Sequence, residues 1–386
     1  MDYRPLLPLL VAAALSRLSV RMFALAIVLL ALDRFQSPAL AGWLGFAALA
    51  PGLAASPFAG VLLDRIGASR AIALDMAASA ATVAMMALIG QGTPSVLLML
   101  TGLYSLTSPL SAAGIRTLLP RLVPPQVWDR ANALDTAIHA LTEVVGPAVA
   151  GTLFAVAGSG PTLLVIALLA ILAALSLQLA KPEPTLGPRR PIMRGAIAGV
   201  TIVLRHPTLR GLVASYALYQ ASWGILLVAV PVLVGQSIQS GADSATGLIW
   251  ALSGLAGGAG ALLAGYWRAR GREKRLITAG ALLTALAIYP LAAVAGLYGL
   301  TAGVAVVGLL SGPIDVGVLT LRQRRTAPAE LGRVLAVSMS LNMAGLPLGS
   351  ALGGLLLICS GHGALLVAAV AAAMSALACQ WLIPDQ

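Results

Sequence analysis

Asp135, His139 and Glu143 stand at four-residue intervals within one largely apolar run. At 3.6 residues per turn, an i, i+4, i+8 series forms a single stripe on a helix. Arg17 and Arg21 share a face of another apolar run in the same way, and Asp315 interrupts a third. Acids, an imidazole and guanidiniums placed away from water are suited to taking up, relaying and releasing protons. Desolvation favours a neutral carboxyl, a neighbouring arginine favours the anion, and a change in access alters the balance. The same residue types also form permanent ion pairs that only specify packing. Residue types alone leave both readings open for Glu143, Asp135, His139, Arg17 and Asp315.

The elements that carry these groups follow from composition. The chain has 386 residues, of which 59% are hydrophobic and 10% charged, and its mean hydropathy is +0.94. Soluble domains are about 45–50% apolar and about 25% charged. A soluble enzyme and a disordered chain are both excluded. The apolar runs are unbroken and lack the period-two alternation of membrane barrels, so the expected class is an all-α integral membrane protein. Splitting at charges, Gly/Pro clusters and polar turns predicts twelve spans: 5–32, 38–62, 70–89, 95–119, 130–157, 161–180, 208–235, 244–267, 275–295, 297–322, 332–359 and 362–383. The first reads as a retained helix, not a cleaved signal, because Arg17 and Arg21 interrupt it.

Net charge is +11. The spans place twenty-one of the 24 lysines and arginines on one side, only Arg34 on the other, and Arg17 and Arg21 within the membrane. This asymmetry predicts both termini in the cytoplasm, and it assigns the basic character to topology and anionic lipid, not to nucleic acid. Cys359 and Cys379 read as small core residues, with no disulfide framework or metal spacing. No H-E-x-x-H, G-x-S-x-G or Walker-type G-x-x-x-x-G-K-[ST] occurs, and there are three histidines, so an intramembrane enzyme is disfavoured and no cofactor or metal is expected.

The stretch KPEPTLGPRRPIMR, Lys181–Arg194, holds four prolines and reads as a stiff linker. It separates a bundle at 1–180 from a bundle at 208–386, with a linker and a short surface helix at 181–207 between them. The halves echo each other at an offset of roughly 200 residues: RLVPPQVWDRANAL before GPAVAGTLF in the first, RTAPAELGRVLAV before LPLGSALGGLL in the second. Two pseudo-symmetric six-helix bundles are therefore expected, and such duplication is the pattern of secondary transporters.

Between the second and third spans stands Gly60-Val-Leu-Leu-Asp64-Arg65-Ile-Gly67-Ala-Ser-Arg70. It resembles the signature loop G-x-x-x-D-R/K-x-G-x-x-R/K of the major facilitator superfamily. The resemblance covers essentially the whole chain. It is closest to the drug and macrolide efflux branch, which includes enterobactin-type siderophore exporters, through SRLSVRM (16–22), LLPRLVPPQVWDRANAL (118–134) and GPAVAGTL (146–153). The resemblance implies a conformational latch of Gly60, Asp64, Arg65, Gly67, Arg70 and Arg116. The second-half counterpart, GYWRARGREKR from Gly265, lacks an acid at the matching position. Asp75, near the start of the third span, is expected to be a loop-side partner of these basic residues.

In this fold the first and fifth spans are neighbours. A rise of 1.5 Å per residue puts Arg17 and Glu143 at about 18 and about 20 Å depth, which predicts that they pair. Asp315, about 27 Å from the outer end of the tenth span, is expected to pair with Arg322 or Arg324. The fold also implies that the first, fourth, seventh and tenth spans line a central cavity. Its expected lining is Arg21, then Thr101, Tyr104, Ser105 and Ser108 on the fourth span, Tyr216, Tyr219, Gln220 and Trp223 on the seventh, and Asn342 on the eleventh. The alternative for these side chains is interhelical packing. The resulting expectation is a monomeric carrier in a bacterial inner membrane whose partners are a small-molecule substrate, protons and lipids. It would be a proton-coupled exporter of amphipathic compounds, with a siderophore or lysolipid carrier, not necessarily proton-coupled, as the alternative.

Overall fold

A chain in hydrocarbon must satisfy its backbone hydrogen bonds internally, and an apolar chain without period-two patterning does so as helices. The computed structural model describes residues 6–88, 92–122, 128–179, 200–238, 240–266, 271–294, 296–327 and 330–384. Twelve helices among them are long and apolar enough to cross a membrane. The first half contains α1 (Leu6–Phe35), α2 (Pro38–Ala47), α3 (Ala50–Ile66), α4 (Ala68–Leu88), α5 (Pro94–Leu122), α6 (Trp128–Ala157) and α7 (Ser159–Leu179). The second contains α8 (Pro207–Ser237), α9 (Ala242–Tyr266), α10 (Glu273–Leu286), α11 (Gly296–Arg324), α12 (Leu331–Met343), α13 (Gly345–Cys359) and α14 (Gly361–Leu382). Each expected span has its helix, with ends within a few residues. Most of the linker lies outside the described residues, and 200–205 are helical.

Prolines punctuate these helices. Pro38, Pro94 and Pro207 open α2, α5 and α8, where a missing N–H leaves nothing unsatisfied. The expected second span is divided between α2 and α3, with Pro51 in the first turn of α3. Beyond α10 the ninth span runs through a wide turn, Ala287–Leu291, where Tyr289 is extended (φ −145°, ψ 120°) ahead of Pro290. Gly67 ends α3 at φ 84°, a left-handed conformation that the signature loop reserves for glycine.

The chain forms two compact units. One comprises Met1–Leu29 and Ala47–Ile192, the other Leu30–Phe46 and Met193–Gln386. The first has a core of Leu6, Leu9, Ile72, Met76, Leu110, Ile115, Leu118 and Leu177. The second is centred on Leu212, Tyr219, Ile277, Ile314, Val318 and Cys379. Within it α2 packs closely on α13: Ser350 Oγ donates to the Gly42 carbonyl at 3.0 Å. The outward faces are apolar as well. Leu366, Val370, Met374, Leu377 and Trp381 make an exposed stripe along α14, the surface a lipid-facing helix needs. Of the two free thiols, Cys379 is a core residue as expected, whereas Cys359, the last residue of α13, is exposed.

Candidate functional site

In the first unit the charged stripe of α6 faces the two arginines of α1. Arg17 meets Asp135: its Nη2 lies 2.8 Å from Oδ1 and 3.0 Å from Oδ2, while Nη1 donates to the Asp135 carbonyl at 2.8 Å. Arg21 pairs with Glu143. His139 Nε2 stands 3.6 Å from the same Glu143 oxygen, one turn away on α6. Arg17 is therefore paired with Asp135, not with the Glu143 predicted for it. Helical side chains lean toward the N-terminus of their helix, and the long guanidinium of Arg17 reaches down to Asp135. Gly146 makes the contact possible, because a Cβ there would collide with Arg21 Cβ. The Arg17–Asp135 pair is mostly buried, and the Arg21–Glu143 pair is about one-third open.

The polar candidates on α5 point into helix seams. Thr101, Tyr104 and Ser105 are all buried. Ser105 Oγ accepts from Gly52 N–H at 2.9 Å, which ties α3 to α5, and Ser108 Oγ donates to the Ser105 carbonyl at 3.0 Å. Tyr104 stacks on Phe23 with ring centroids 4.1 Å apart. Beside this seam lies Asp75. The structure does not place it at a loop: it is 2% exposed, on the α4 face that also buries Ile72, Met76 and Ser79. Of the latch residues, Gly67 makes the turn and Arg65 and Arg70 are exposed. Gly60 falls within α3, and the side chains of Asp64 and Arg116 lie outside the described residues.

In the second unit the α8 stripe divides. Tyr219 is fully buried among Leu212, Ile277 and Ile314. Tyr216 and Trp223 are only partly buried, and Trp223 continues an aromatic chain from Tyr219 to Trp250 (centroids 6.5 and 6.0 Å apart). Gln220 Nε2 reaches Met343 Sδ at 3.2 Å. Tyr216 donates to Asp315 Oδ1 at 2.5 Å. Arg322 and Arg324, the arginines expected to pair with Asp315, each reach another residue. Arg324 Nη1 lies 2.8 Å from Glu273 Oε1. Buried Arg322 donates to the Asn342 amide oxygen at 2.6 Å when that amide is oriented so that its nitrogen also donates to the Ser338 carbonyl. Glu273 is 1% exposed and also accepts from Gly271 N–H, so the basic loop after α9 does have its acid, displaced from the motif position. The glutamate in GREKR was the sequence signal for it.

Because Asp315 is exposed, its bond from Tyr216 is moderated by its surroundings. Tyr216→Phe is expected to lower stability by about 1 kcal/mol, measured as a shift in thermal unfolding of the purified protein.

A family model described as the Major Facilitator Superfamily matches residues 9–237 and 212–386. The chain belongs to the Major Facilitator Superfamily. Within it, the chain is 49% identical to an uncharacterized MFS-type transporter, y4rN, of Sinorhizobium fredii, over 98% of this chain and 95% of that one. It is 32% identical to the multidrug efflux pump Tap of Mycobacterium tuberculosis, over 84% and 80% of the two chains. Solved superfamily structures share the fold at low identity. The nucleoside transporter NupG superposes with a TM-score of 0.79 at 13% identity, covering 98% of this chain and 99% of that one. A D-xylose–proton symporter superposes with 0.74 at 14%, covering 100% and 99%. The chain is thus a multi-pass superfamily transporter. No group of three or more His, Cys, Asp or Glu suited to a metal occurs among the described residues.

Proposed function

We propose that this transporter exports small amphipathic compounds by alternating access, driven by protons moving the other way. The observation that carries the reading is the pair of rungs between α1 and α6, Arg17–Asp135 and Arg21–Glu143. Four charges within membrane-spanning helices are costly to retain unless they serve transport. Glu143 is the natural point of proton exchange: it is the more open acid, and Arg21 and His139 both reach it. A proton arriving there would release Arg21, which links protonation to the α1–α6 contact. The similarity to a multidrug efflux pump supports export of varied cargo. The partly open aromatics Tyr216 and Trp223 suit apolar ring systems. The charge asymmetry of the loops supports an inner-membrane protein with cytoplasmic termini, and we take it to act as a monomer.

The buried Arg322, which reaches the Asn342 amide oxygen and whose Nε completes no hydrogen bond, favours a second reading in which the cargo carries an anionic or catecholate group. One experiment separates the readings. Purified protein in liposomes is screened with ethidium, a macrolide and a catecholate, with and without an imposed pH gradient. Gradient-dependent accumulation that a protonophore abolishes, and that Glu143→Gln loses, is expected. Accumulation indifferent to the gradient would overturn proton coupling and leave a uniporter.

A further inference from the structure

The α1–α6 rungs are not the whole of the buried acid chemistry in the first unit. Asp75 lies on α4, seven residues beyond its first residue, and is 2% exposed. Its surroundings differ in kind from those of Asp135 and Glu143. Ser79 Oγ, one turn along α4, donates to Asp75 Oδ1 at 3.4 Å. From α5 the hydroxyls of Thr107 and Ser111 close on the same carboxyl, and Tyr104 lies within electrostatic reach of it. Helices α3, α5 and α7 pack against α4, and α1, whose Arg17 is paired with Asp135, shares a core with it. Helix α7 carries no titratable residue. On α3 the described charge is Arg65, which is exposed, as is Arg70 on α4 itself; the side chains of Asp64 on α3 and of Arg116 and Arg121 on α5 lie outside the described residues. Arg21 on α1 is felt at Tyr104 but is committed to Glu143. Among the described residues, no cation forms an ion pair with Asp75.

An uncompensated carboxylate sealed among helices is strongly disfavoured, whereas a neutral carboxylic acid among hydroxyls is not. The cage also has spare capacity. The Ser111 hydroxyl and the Tyr104 hydroxyl are buried, yet neither completes a well-formed hydrogen bond. A neutral acid offers an O–H donor to one hydroxyl while still accepting from others; an anion offers no donor. We propose that Asp75 is a second protonation site of this transporter, occupied by a proton in this conformation and independent of the arginine-paired stripe on α6. The step is the addition of one proton from water to a carboxylate oxygen, reversed when movement of α4 against α5 lets water in. Asp135 and Glu143 each face an arginine, whereas Asp75 exchanges its proton against hydroxyls alone.

The test is infrared difference spectroscopy of the purified full chain in lipid nanodiscs, titrated from about pH 5 to about pH 9, a range that lies above ordinary carboxyl titration and spans that of histidine. Wild type and Glu143→Gln are expected to show a protonated-carboxyl stretch at neutral pH that Asp75→Asn lacks. Parallel titration should find Asp75→Asn releasing about one proton fewer per chain toward alkaline pH. Ser111→Ala, which removes one cage hydroxyl, should shift the band without abolishing it, and it serves as the second variant if Asp75→Asn fails to fold. A band that survives Asp75→Asn, or one that Ser111→Ala leaves in place at the same frequency, would overturn the proposal. Because the measurement needs no cargo, its failure would leave proton-driven export through Glu143 standing. Conversely, gradient-driven transport that persists in Glu143→Gln, with the Asp75 band intact, would overturn the role of Glu143 and leave Asp75 as the protonation site.

Discussion

Asp135→Asn is expected to destabilise the first unit by about 3 kcal/mol and to lose nearly all transport, and neutralising Arg17 as well should restore stability but not transport. Arg17 makes two contacts to the Asp135 carboxylate and one to its carbonyl, in a pair that is less than one-fifth exposed on either side. Removing one member of a buried pair leaves the other charge uncompensated, at a cost of about 3 kcal/mol. The double variant Arg17→Gln/Asp135→Asn leaves no orphaned charge, and most of that loss should disappear, so that the double-mutant cycle shows a coupling of about 2 kcal/mol. Thermal unfolding of all four proteins supplies the cycle. Transport should behave differently. If the rungs change partners as the protein cycles, a neutral pair cannot do so, and gradient-driven accumulation in the double variant should stay at least about tenfold below wild type, a barrier change of about 1.4 kcal/mol. Recovery of both stability and transport would make the Arg17–Asp135 rung a packing device.

The span pattern was readable because it rests on a constraint that acts residue by residue. Hydrocarbon demands helices, and charges, Gly and Pro mark their ends, so every expected span has its helix. The Gly67 turn was readable for a similar local reason: its left-handed backbone is a property of one residue. What was not readable depended on where side chains point in three dimensions. Counting rise along two helices placed Glu143 level with Arg17, but the count ignores side-chain reach and the stagger of the two helices, and the Arg17 guanidinium meets Asp135, eight residues earlier on α6. Asp75 looked like a loop residue by its distance from the end of the span. Its rotation about α4, which no count from the end reveals, turns it toward the hydroxyls of α5. Tyr216 and Tyr219 are equivalent in spacing, yet Tyr219 enters the core of the second unit while Tyr216 meets Asp315. Glu273 was hidden for a different reason. It lies outside the slot the loop motif assigns to an acid, although its bond to Arg324 spans from the start of α10 to the end of α11.

Gly349→Leu is expected to be the most destructive single change in the second unit. Gly345, Gly349 and Gly353 occur at i, i+4 and i+8 on α13, and each faces the backbone of α8. A Cβ at Gly345 would collide with the Ala217 carbonyl oxygen, one at Gly349 with the Ala221 carbonyl oxygen, and one at Gly353 would lie 2.9 Å from Ile225 Cα. From the other side, a Cβ at Gly224 would collide with the Leu346 carbonyl. The obstacles are backbone atoms, which cannot rotate aside, so only separation of the helices relieves the clash. Small residues at four-residue spacing are how membrane helices achieve such close approach, since lipid offers no hydrophobic drive to hold them together. Separation would also displace the face of α8 that bears Tyr216, Gln220 and Trp223, and the Gln220–Met343 contact with it. Leucine at Gly349 should therefore destabilise by about 3 kcal/mol or more, and alanine by about 1–3 kcal/mol. Gly258 on α9 has nothing within 4 Å of a Cβ, and Gly258→Leu is the matched control. Yield of monodisperse protein after detergent extraction and the unfolding temperature are the readouts. Equal behaviour of Gly349→Leu and Gly258→Leu would show that α8 and α13 are not held at backbone contact, and that the α8 aromatics owe their position to something other than this seam.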